Sequence, residues 1–219
     1  MTRPRTRTAI LISGRGSNMM ALVEAARRPD YPAEIVGVVS NRPDAAGLVW
    51  AAEQSLPTAV VNHRDYPSRE TFEADLHAAL LGLGADLIAQ AGFMRLLTAG
   101  FVAKWDGRLL NIHPSLLPSF KGLHAHEQAI AAGVKIAGCT VHFVTAEMDA
   151  GPIVAQAAVP VIAGDTPETL AERTLLAEHK LYPAALAAVA SGHAALVDGR
   201  IVNRMPVNQH AVLLSPDGT

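Results

Sequence analysis

Two polar side chains suited to acyl transfer close a short apolar run in the middle of the chain. Asn111 and His113 stand two residues apart in the stretch NIHPSLLP, residues 111–118, where two prolines disfavour a helix. Residues two apart on an extended chain point to the same face, so an amide donor lies beside an imidazole. Such donors stabilise the oxyanion of a tetrahedral adduct, and the imidazole can deliver a proton to a leaving nitrogen. The spacing makes Asn111 and His113 a candidate catalytic pair.

A carboxylate suited to support this pair is Asp149, in the stretch EMDAGP, residues 147–152. A carboxylate near an imidazole favours the charged form of the ring. The alternative interpretation is that His113 satisfies a buried hydrogen bond and Asn111 stabilises a turn, which is the commoner role of single polar residues. The spacing of the residues does not decide between the two.

A second candidate site is the stretch SGRGSN, residues 13–18, between a predicted strand and a predicted helix. Backbone N–H groups and the positive end of a helix can hold a phosphate at such a turn. The stretch lacks the third glycine of a dinucleotide fingerprint and the Gly-Lys-Ser/Thr of a Walker loop, so it favours a phosphate monoester. The alternative is a tight turn in which Asn18 only caps the helix.

Apolar strand-like runs alternate with helix-forming stretches through the first half of the chain, the pattern of a parallel sheet covered by helices. The predicted strands are residues 8–13, 34–40, 58–61, 86–91 and 109–112, and the predicted helices are residues 18–28, 44–54, 68–81 and 98–104. Ligands of open α/β sheets bind outside the carboxyl ends of the strands, where Asn111 and His113 lie.

Later in the chain, residues 136–145 and 153–161 form two strand-like runs with a connection short enough for antiparallel pairing. Residues 194–207 predict a short hairpin that turns at residues 198–199. The predicted fold class is therefore α/β: an open, mostly parallel Rossmann-like sheet with helices on both faces and antiparallel strands added late.

A helix is predicted between the late strands and the hairpin, over residues 170–177. Thr166 is its expected N-cap, with Pro167 at the first helical position. Pro183 is expected to kink or break it.

The overall composition indicates one globular domain, since 50% of the 219 residues are hydrophobic and 17% are charged. The net charge of -2 favours no nucleic-acid partner, and Arg3, Arg5 and Arg7 are interpreted as a solvated tail. Residue 8 already begins a strand, so neither a signal peptide nor a membrane span is expected and the predicted compartment is the cytoplasm. The lone Cys139 is expected in the core.

Several stretches stand in an order and at spacings that identify a family. They are ISGRGSN (12–18), AGFMRLL (91–97), LNIHPSLLP (110–118), VHFVT (141–145) and DAGP (149–152). Each stretch alone is weak to moderate evidence. Together they resemble the glycinamide ribonucleotide formyltransferases of purine synthesis over nearly the whole chain.

The resemblance implies that a formyl group passes from 10-formyltetrahydrofolate to the amine of 5-phosphoribosylglycinamide, without a metal, a nucleic acid or a membrane. It implies Asn111 and His113 as the catalytic pair and Asp149 as the acid that tunes the histidine. It implies one formyltransferase domain over residues 1–219, with a phosphate-binding half at 1–100, a folate-binding and catalytic half at 101–190, and the C-terminal hairpin at 194–207. The oligomeric state is not predicted.

The implied binding residues fall into three groups. The phosphate is expected at Gly16, Ser17, Asn18, Met19 and Met20. The folate is expected at Arg69, Met94, Arg95, Leu96, Leu97 and Asn111, and Glu178 is expected to contact the phosphate-bearing substrate. Gln90 and Ala150 depart from the family pattern, in which an apolar residue and, in some relatives, a second glycine are usual; these departures affect details of the pocket and loop rather than the activity.

Four other functions are weighed against this one. A formyl-folate hydrolase has the same polar residues but an extra N-terminal domain, and a methionyl-tRNA formyltransferase has an added C-terminal barrel. A folate- or phosphate-binding regulator is suggested by loss of a catalytic residue, and none is lost. A metal hydrolase would use His113, His124 and His142, with His126 nearby, but no ligand-spacing signature accompanies them.

Overall fold

Strands and helices alternate in the first half of the chain, where the strands arise from short apolar runs bounded by turn residues. A computed structural model describes residues 4–204. The strands are β1 (Thr6–Ile12), β2 (Ala33–Ser40), β3 (Thr58–Val60), β4 (Leu87–Gln90), β5 (Leu109–His113), β6 (Ile136–Phe143), β7 (Ile153–Pro160), β8 (Ala194–Val197) and β9 (Arg200–Asn203). The α-helices are α1 (Ser17–Ala26), α2 (Ala46–Glu53), α3 (Arg69–Gly82), α4 (Ala99–Lys104), α5 (Ala125–Ala131) and α6 (Pro167–Ala190), and a 3-10 turn spans His63–Asp65.

The main sheet has seven strands in the order β3-β2-β1-β4-β5-β6-β7. Strands β1 to β5 are parallel, whereas β6 pairs antiparallel with both β5 and β7. The chain moves outward from β1 in one direction through β2 and β3, and in the other through β4 and β5. This reversal opens a crevice at the carboxyl ends of β1 and β4, the position at which open α/β sheets bind ligands.

Helices cover both faces of the sheet and bury apolar clusters against it. The first cluster joins the sheet to α1, α2 and α6, another joins it to α3 and α4, and a small one joins β6 and β7 to α5 and α6. Tyr182 of α6 is fully buried, and its hydroxyl donates to the Gln90 carbonyl, 2.9 Å away, beneath the crevice. The predicted fold class, an open and mostly parallel sheet with helices on both faces and late antiparallel strands, is confirmed.

Helix ends agree with the capping chemistry of the sequence. Ser68, Thr98 and Thr166 each accept a hydrogen bond from the backbone N–H of the third residue of the helix that follows. Pro167 stands at the first position of α6, as predicted. Pro183 was expected to kink or break this helix, and the break is wrong, because α6 runs without interruption to Ala190 and is held by packing against α1, β6 and β7.

Two other expectations need correction. The interpretation of Arg5 and Arg7 as a solvated tail is wrong, because their guanidinium groups donate to main-chain carbonyls: Arg5 to those of Ala26 and Ala33, and Arg7 to that of Gly84, 2.8 Å away. Arg3 lies outside the described residues. Helix α5 was not predicted, since its seven residues are too few for a clear apolar period.

The small sheet and the lone thiol agree with the sequence. Strands β8 and β9 form the predicted hairpin, and Asp198 and Gly199 have the positive φ angles that a tight two-residue turn requires. Residues 205–207, the last part of the predicted hairpin, lie outside the described residues. Cys139 is buried in β6, and burial raises the pKa of its thiol to about 12, so it is a core residue as expected.

Candidate active site

Polar side chains gather where β1, β4 and β5 end, at the crevice of the sheet. Ser13 follows β1, Gln90 closes β4, and Asn111 pairs with Gln90 in the β4–β5 ladder. Gln90 is buried, so its departure from the family pattern places an amide inside the wall of the crevice. The parallel strands bring residues that are far apart in sequence to one edge.

His113 and Asp149 form a nearly buried pair, with 7% and 11% of their side chains exposed. His113 Nδ1 lies 3.4 Å from Asp149 Oδ2, and His113 Nε2 lies 3.0 Å from the carbonyl oxygen of Phe120. A carboxylate and a carbonyl oxygen only accept hydrogen bonds, so both contacts are favourable together when both ring nitrogens carry a hydrogen. The surroundings of His113 therefore suit the charged imidazolium.

Asn111 is held by a second histidine, His142, which is opposite it in the β5–β6 ladder. His142 Nδ1–H donates to the carbonyl of Phe143, 2.9 Å away, and His142 Nε2 lies 3.3 Å from Asn111 Nδ2. Burial lowers the pKa of His142, against smaller opposing effects of the Phe143 carbonyl and Asp149, so the ring is neutral and its Nε2 accepts from Asn111. The 3.8 Å approach of His142 Nε2 to Asp149 Oδ1 is thus no ion pair.

These contacts close a group that we call the polar cluster: Asn111, His113, His142 and Asp149. The sequence predicted three of its members, and the structure brings those three together. The sequence did not predict the contact of His142 with Asn111. As a functional residue, His142 was considered only as a candidate metal ligand. The antiparallel register of β5 and β6 creates this contact, and the 22 residues between the strands conceal that register in the sequence.

The loop that carries Asp149 is shaped by close backbone contacts. Asp149 has a φ of 50°, and its Oδ2 accepts the Gly122 N–H at 2.9 Å. A Cβ on Gly151 would lie 1.8 Å from the carbonyl oxygen of Phe143, so only glycine fits there. The loop thereby fixes the carboxylate beside His113.

The glycine turn after β1 has the geometry of an anion site. Gly16 is the N-cap of α1 with a φ of 73°, and the Met20 N–H makes the first helical hydrogen bond, to the Gly16 carbonyl at 2.9 Å. The N–H groups of Ser17, Asn18 and Met19 therefore belong to the open first turn, whose donors have no partner within the helix. The side chain of Met19 is buried in the core.

The idea that Asn18 caps α1 is wrong, because the N-cap is Gly16 and the Asn18 side chain points to another helix. Asn18 Nδ2–H donates to Glu178 Oε2 of α6, 2.6 Å away, and both side chains are buried. Burial raises the pKa of Glu178, and the hydrogen bond from Asn18 lowers it by a smaller amount. The predicted phosphate turn and the predicted substrate-contacting acid are therefore direct neighbours.

The predicted folate segment, residues 94–97, lies in a stretch without regular structure between β4 and α4. Met94 and Leu96 expose 68% and 56% of their surface, which is typical of an apolar ligand wall. Arg95 and Leu97 are half-buried in the same segment, whereas Arg69 is exposed at the first residue of α3. Among the described residues, no hydrogen bond joins Arg69 to this segment or to the polar cluster.

Two histidines of the alternative metal site, His124 and His142, have other partners. His124 is exposed and its Nδ1 lies 3.0 Å from Glu127 Oε1, and His142 is committed to Asn111. Between residues 4 and 204, no three His, Cys, Asp or Glu side chains are placed to hold a metal ion. None of the helices in that range has the length and hydrophobicity to span a membrane.

The fold and the polar cluster together define the class of this protein. Comparison with known proteins identifies the family within that class. The chain belongs to the formyl transferase family, whose model matches residues 6–186. The family identified from the sequence motifs is thereby confirmed.

Individual relatives carry narrower names. Over 208 residues the chain is 39% identical to phosphoribosylglycinamide formyltransferase of Escherichia coli (strain K12), a match that covers 92% of this chain and 97% of that protein. The crystal structure of glycinamide ribonucleotide transformylase 1 from Symbiobacterium toebii matches with a TM-score of 0.87 and 45% identity, over 90% of this chain and 93% of that one. The chain is also 52% identical over 198 residues to the trifunctional purine biosynthetic protein adenosine-3 of Bos taurus, where the match covers 90% of this chain and only 20% of that protein.

Proposed function

We propose that this protein transfers the formyl group of 10-formyltetrahydrofolate to the amine of 5-phosphoribosylglycinamide. The observation that carries the proposal is the 3.4 Å pairing of His113 with Asp149 beside Asn111, at the carboxyl edge of the sheet. Acyl transfer between two nitrogens needs a donor for an oxyanion and a group that moves a proton. The polar cluster offers both.

The reaction begins when the neutral amine attacks the formyl carbon and a new carbon–nitrogen bond forms. The formyl oxygen becomes an oxyanion, which the charged His113 and one amide hydrogen of Asn111 stabilise. The other amide hydrogen of Asn111 is held by His142, and this fixes the direction of the first.

The adduct then collapses, and the bond between the formyl carbon and the folate nitrogen breaks. His113 delivers its Nε2 hydrogen, which faces the Phe120 carbonyl in this structure, to the departing nitrogen, directly or through a water. The attacking amine loses a proton as the new amide forms, and this proton returns to His113. Asp149 favours the charged form of His113 in this scheme. Holding both substrates in one crevice supplies much of the remaining rate enhancement over the uncatalysed reaction.

The proposed binding groups form two sets, one for each substrate. Gly16, Ser17 and Asn18 bind the phosphate through the open first turn of α1, which Met19 and Met20 continue, and Glu178 contacts the rest of that substrate. Met94, Arg95, Leu96 and Leu97 line the folate site with Asn111, and Arg69 contacts the folate from α3.

We place both ligand sites in one formyltransferase domain over residues 1–219. The Asn18–Glu178 hydrogen bond joins the predicted halves at 1–100 and 101–190, so the substrate site draws on both. The reaction needs only its two substrates, and the proposed compartment is the cytoplasm.

The test is to incubate the protein with 10-formyltetrahydrofolate, with and without 5-phosphoribosylglycinamide, and to follow released folate and formylated product by mass. The proposal predicts formylated product in an amount equal to the folate released, and negligible release without the amine. Folate release without amine would support a hydrolase instead. Folate binding without turnover would support a regulator.

A further inference from the structure

The proposed folate wall is formed by residues 94–97. It lies in a segment, residues 93–98, that contains no helix or strand, yet the side chains of Met94 and Leu96 are exposed there. A segment of this kind keeps one conformation only if other groups hold its backbone. Two buried side chains from distant parts of the chain do so.

The first anchor is Ser13, the residue after β1. Its Oγ accepts the Met94 N–H at 2.8 Å and donates to Asn41 Oδ1 at 2.6 Å. Both Ser13 and Asn41 are buried, so water does not compete for the hydroxyl. The Ser13 N–H also donates to the Gly92 carbonyl at 3.1 Å, which ties the start of the segment to the end of β1.

The second anchor is Glu73 of α3, at the far end of the segment. Its Oε1 accepts the Thr98 N–H at 2.7 Å, and its Oε2 accepts the Thr98 hydroxyl. Glu73 is buried. The segment is therefore fixed at Met94 and at Thr98, and the residues between them form an arch.

We propose that Ser13 is a positioning residue for the folate wall, with Glu73 in the same role at the other end of the arch. The inference rests on the proposed function, because it concerns the folate site of that reaction. The Met94 N–H is committed to Ser13, so the folate must use other main-chain groups of the segment. Loss of the Ser13 hydroxyl leaves this N–H without its partner and lets the arch leave its binding shape.

The test compares Ser13→Ala with the unchanged protein by titration calorimetry with tetrahydrofolate and by steady-state kinetics with both substrates. We expect the Kd for tetrahydrofolate and the KM for 10-formyltetrahydrofolate to rise about tenfold, the size of one lost hydrogen bond. The KM for 5-phosphoribosylglycinamide should change less than about twofold, since the N–H groups of the phosphate turn belong to α1. Glu73→Leu should also raise the folate Kd.

A matched control is available on the same strand. Thr6, at the other end of β1, donates its hydroxyl to the Ala190 carbonyl at 3.0 Å, so Thr6→Val also removes one side-chain to main-chain hydrogen bond. We expect Thr6→Val to leave the folate Kd unchanged, and Ser13→Thr, which keeps the hydroxyl, to recover most of the affinity lost in Ser13→Ala.

Either of two results would overturn the inference: an unchanged folate Kd in Ser13→Ala, or an equal rise in Thr6→Val. The proposed function is judged separately, by amine-dependent turnover of the unchanged protein. The positioning role of Ser13 is judged only by the ratio of the folate Kd of each variant to that of the unchanged protein.

Discussion

The side-chain amide nitrogen of Asn111 lies 3.3 Å from Nε2 of His142, across the β5–β6 ladder. Because His142 is buried and neutral, and its other nitrogen donates to the Phe143 carbonyl, Nε2 can only accept. This settles which end of the Asn111 amide faces His142. One amide hydrogen of Asn111 therefore bonds to His142, and this bond fixes the direction of the other amide hydrogen.

The first prediction concerns this contact. His142→Phe keeps a ring of similar size but removes the acceptor, so the Asn111 amide can rotate. We expect kcat to fall about tenfold, as for one misaligned donor, with the KM for 10-formyltetrahydrofolate little changed. Steady-state kinetics measures both constants. A rise in KM at normal kcat would mean that His142 supports binding rather than the orientation of Asn111.

The second prediction concerns the charge of Asp149. Asp149→Asn can still accept the Gly122 N–H, so the loop should keep its shape, but the negative charge 3.4 Å from His113 is gone. The carboxylate then no longer supports the positive charge with which His113 stabilises the oxyanion, so kcat should fall about tenfold while both KM values change little. Steady-state kinetics with both substrates measures these constants. A normal kcat would contradict the supporting role of Asp149.

The third prediction concerns the backbone of the Asp149 loop. Gly151→Ala places a Cβ within 1.8 Å of the Phe143 carbonyl oxygen, so the loop must shift and withdraw the carboxylate from His113. We expect kcat to fall at least about tenfold and Tm to fall by several degrees. Gly82→Ala is the matched control, because the Cβ added there, in α3, has open space. Full activity in Gly151→Ala would show that the position of the loop is unimportant.

The fourth prediction uses the buried Glu178. Burial raises its pKa above the usual 4.5, so the folded chain holds the proton more tightly than the unfolded chain. Its stabilising effect is then complete below pH 4.5 and is lost as the pH rises through the raised pKa. Glu178→Gln cannot ionise, so its free energy of unfolding should match that of the unchanged protein at pH 4 and exceed it at pH 8.

Urea unfolding at the two pH values measures this difference, and the exposed Glu172→Gln of the same helix serves as control. A Glu178→Gln variant that is less stable at pH 8 would contradict the prediction. It would show that the ionised carboxylate is stabilised in the folded chain by its bond with Asn18.

The strands and most helix ends could be predicted because they depend on local chemistry. Apolar runs bounded by turn residues gave the sheet, and the hydroxyl groups of Thr98 and Thr166 mark the starts of α4 and α6. Pro183 misled the prediction because one lost hydrogen bond is a local cost, whereas the packing of α6 against the sheet depends on the whole fold.

The candidate site divides in the same way. Asn111 and His113 share a face of one strand, so their spacing alone brings them together. The contacts of Ser13 with Met94 and of Asn18 with Glu178 span 81 and 160 residues, and only the folded sheet creates them. Residue types predicted which chemistry is present, and the register of the strands decided which groups meet.

The most direct measurement compares His113→Ala and Asn111→Ala with the unchanged protein in amine-dependent formyl transfer and in tetrahydrofolate binding. His124→Ala serves as a control, because that exposed histidine lies outside the polar cluster and its Nδ1 is 3.0 Å from Glu127 Oε1. We predict that kcat falls about 100-fold or more in the first two variants, that folate binding weakens far less than turnover in both, and that His124→Ala keeps full activity. Near-normal turnover in either His113→Ala or Asn111→Ala would contradict the account.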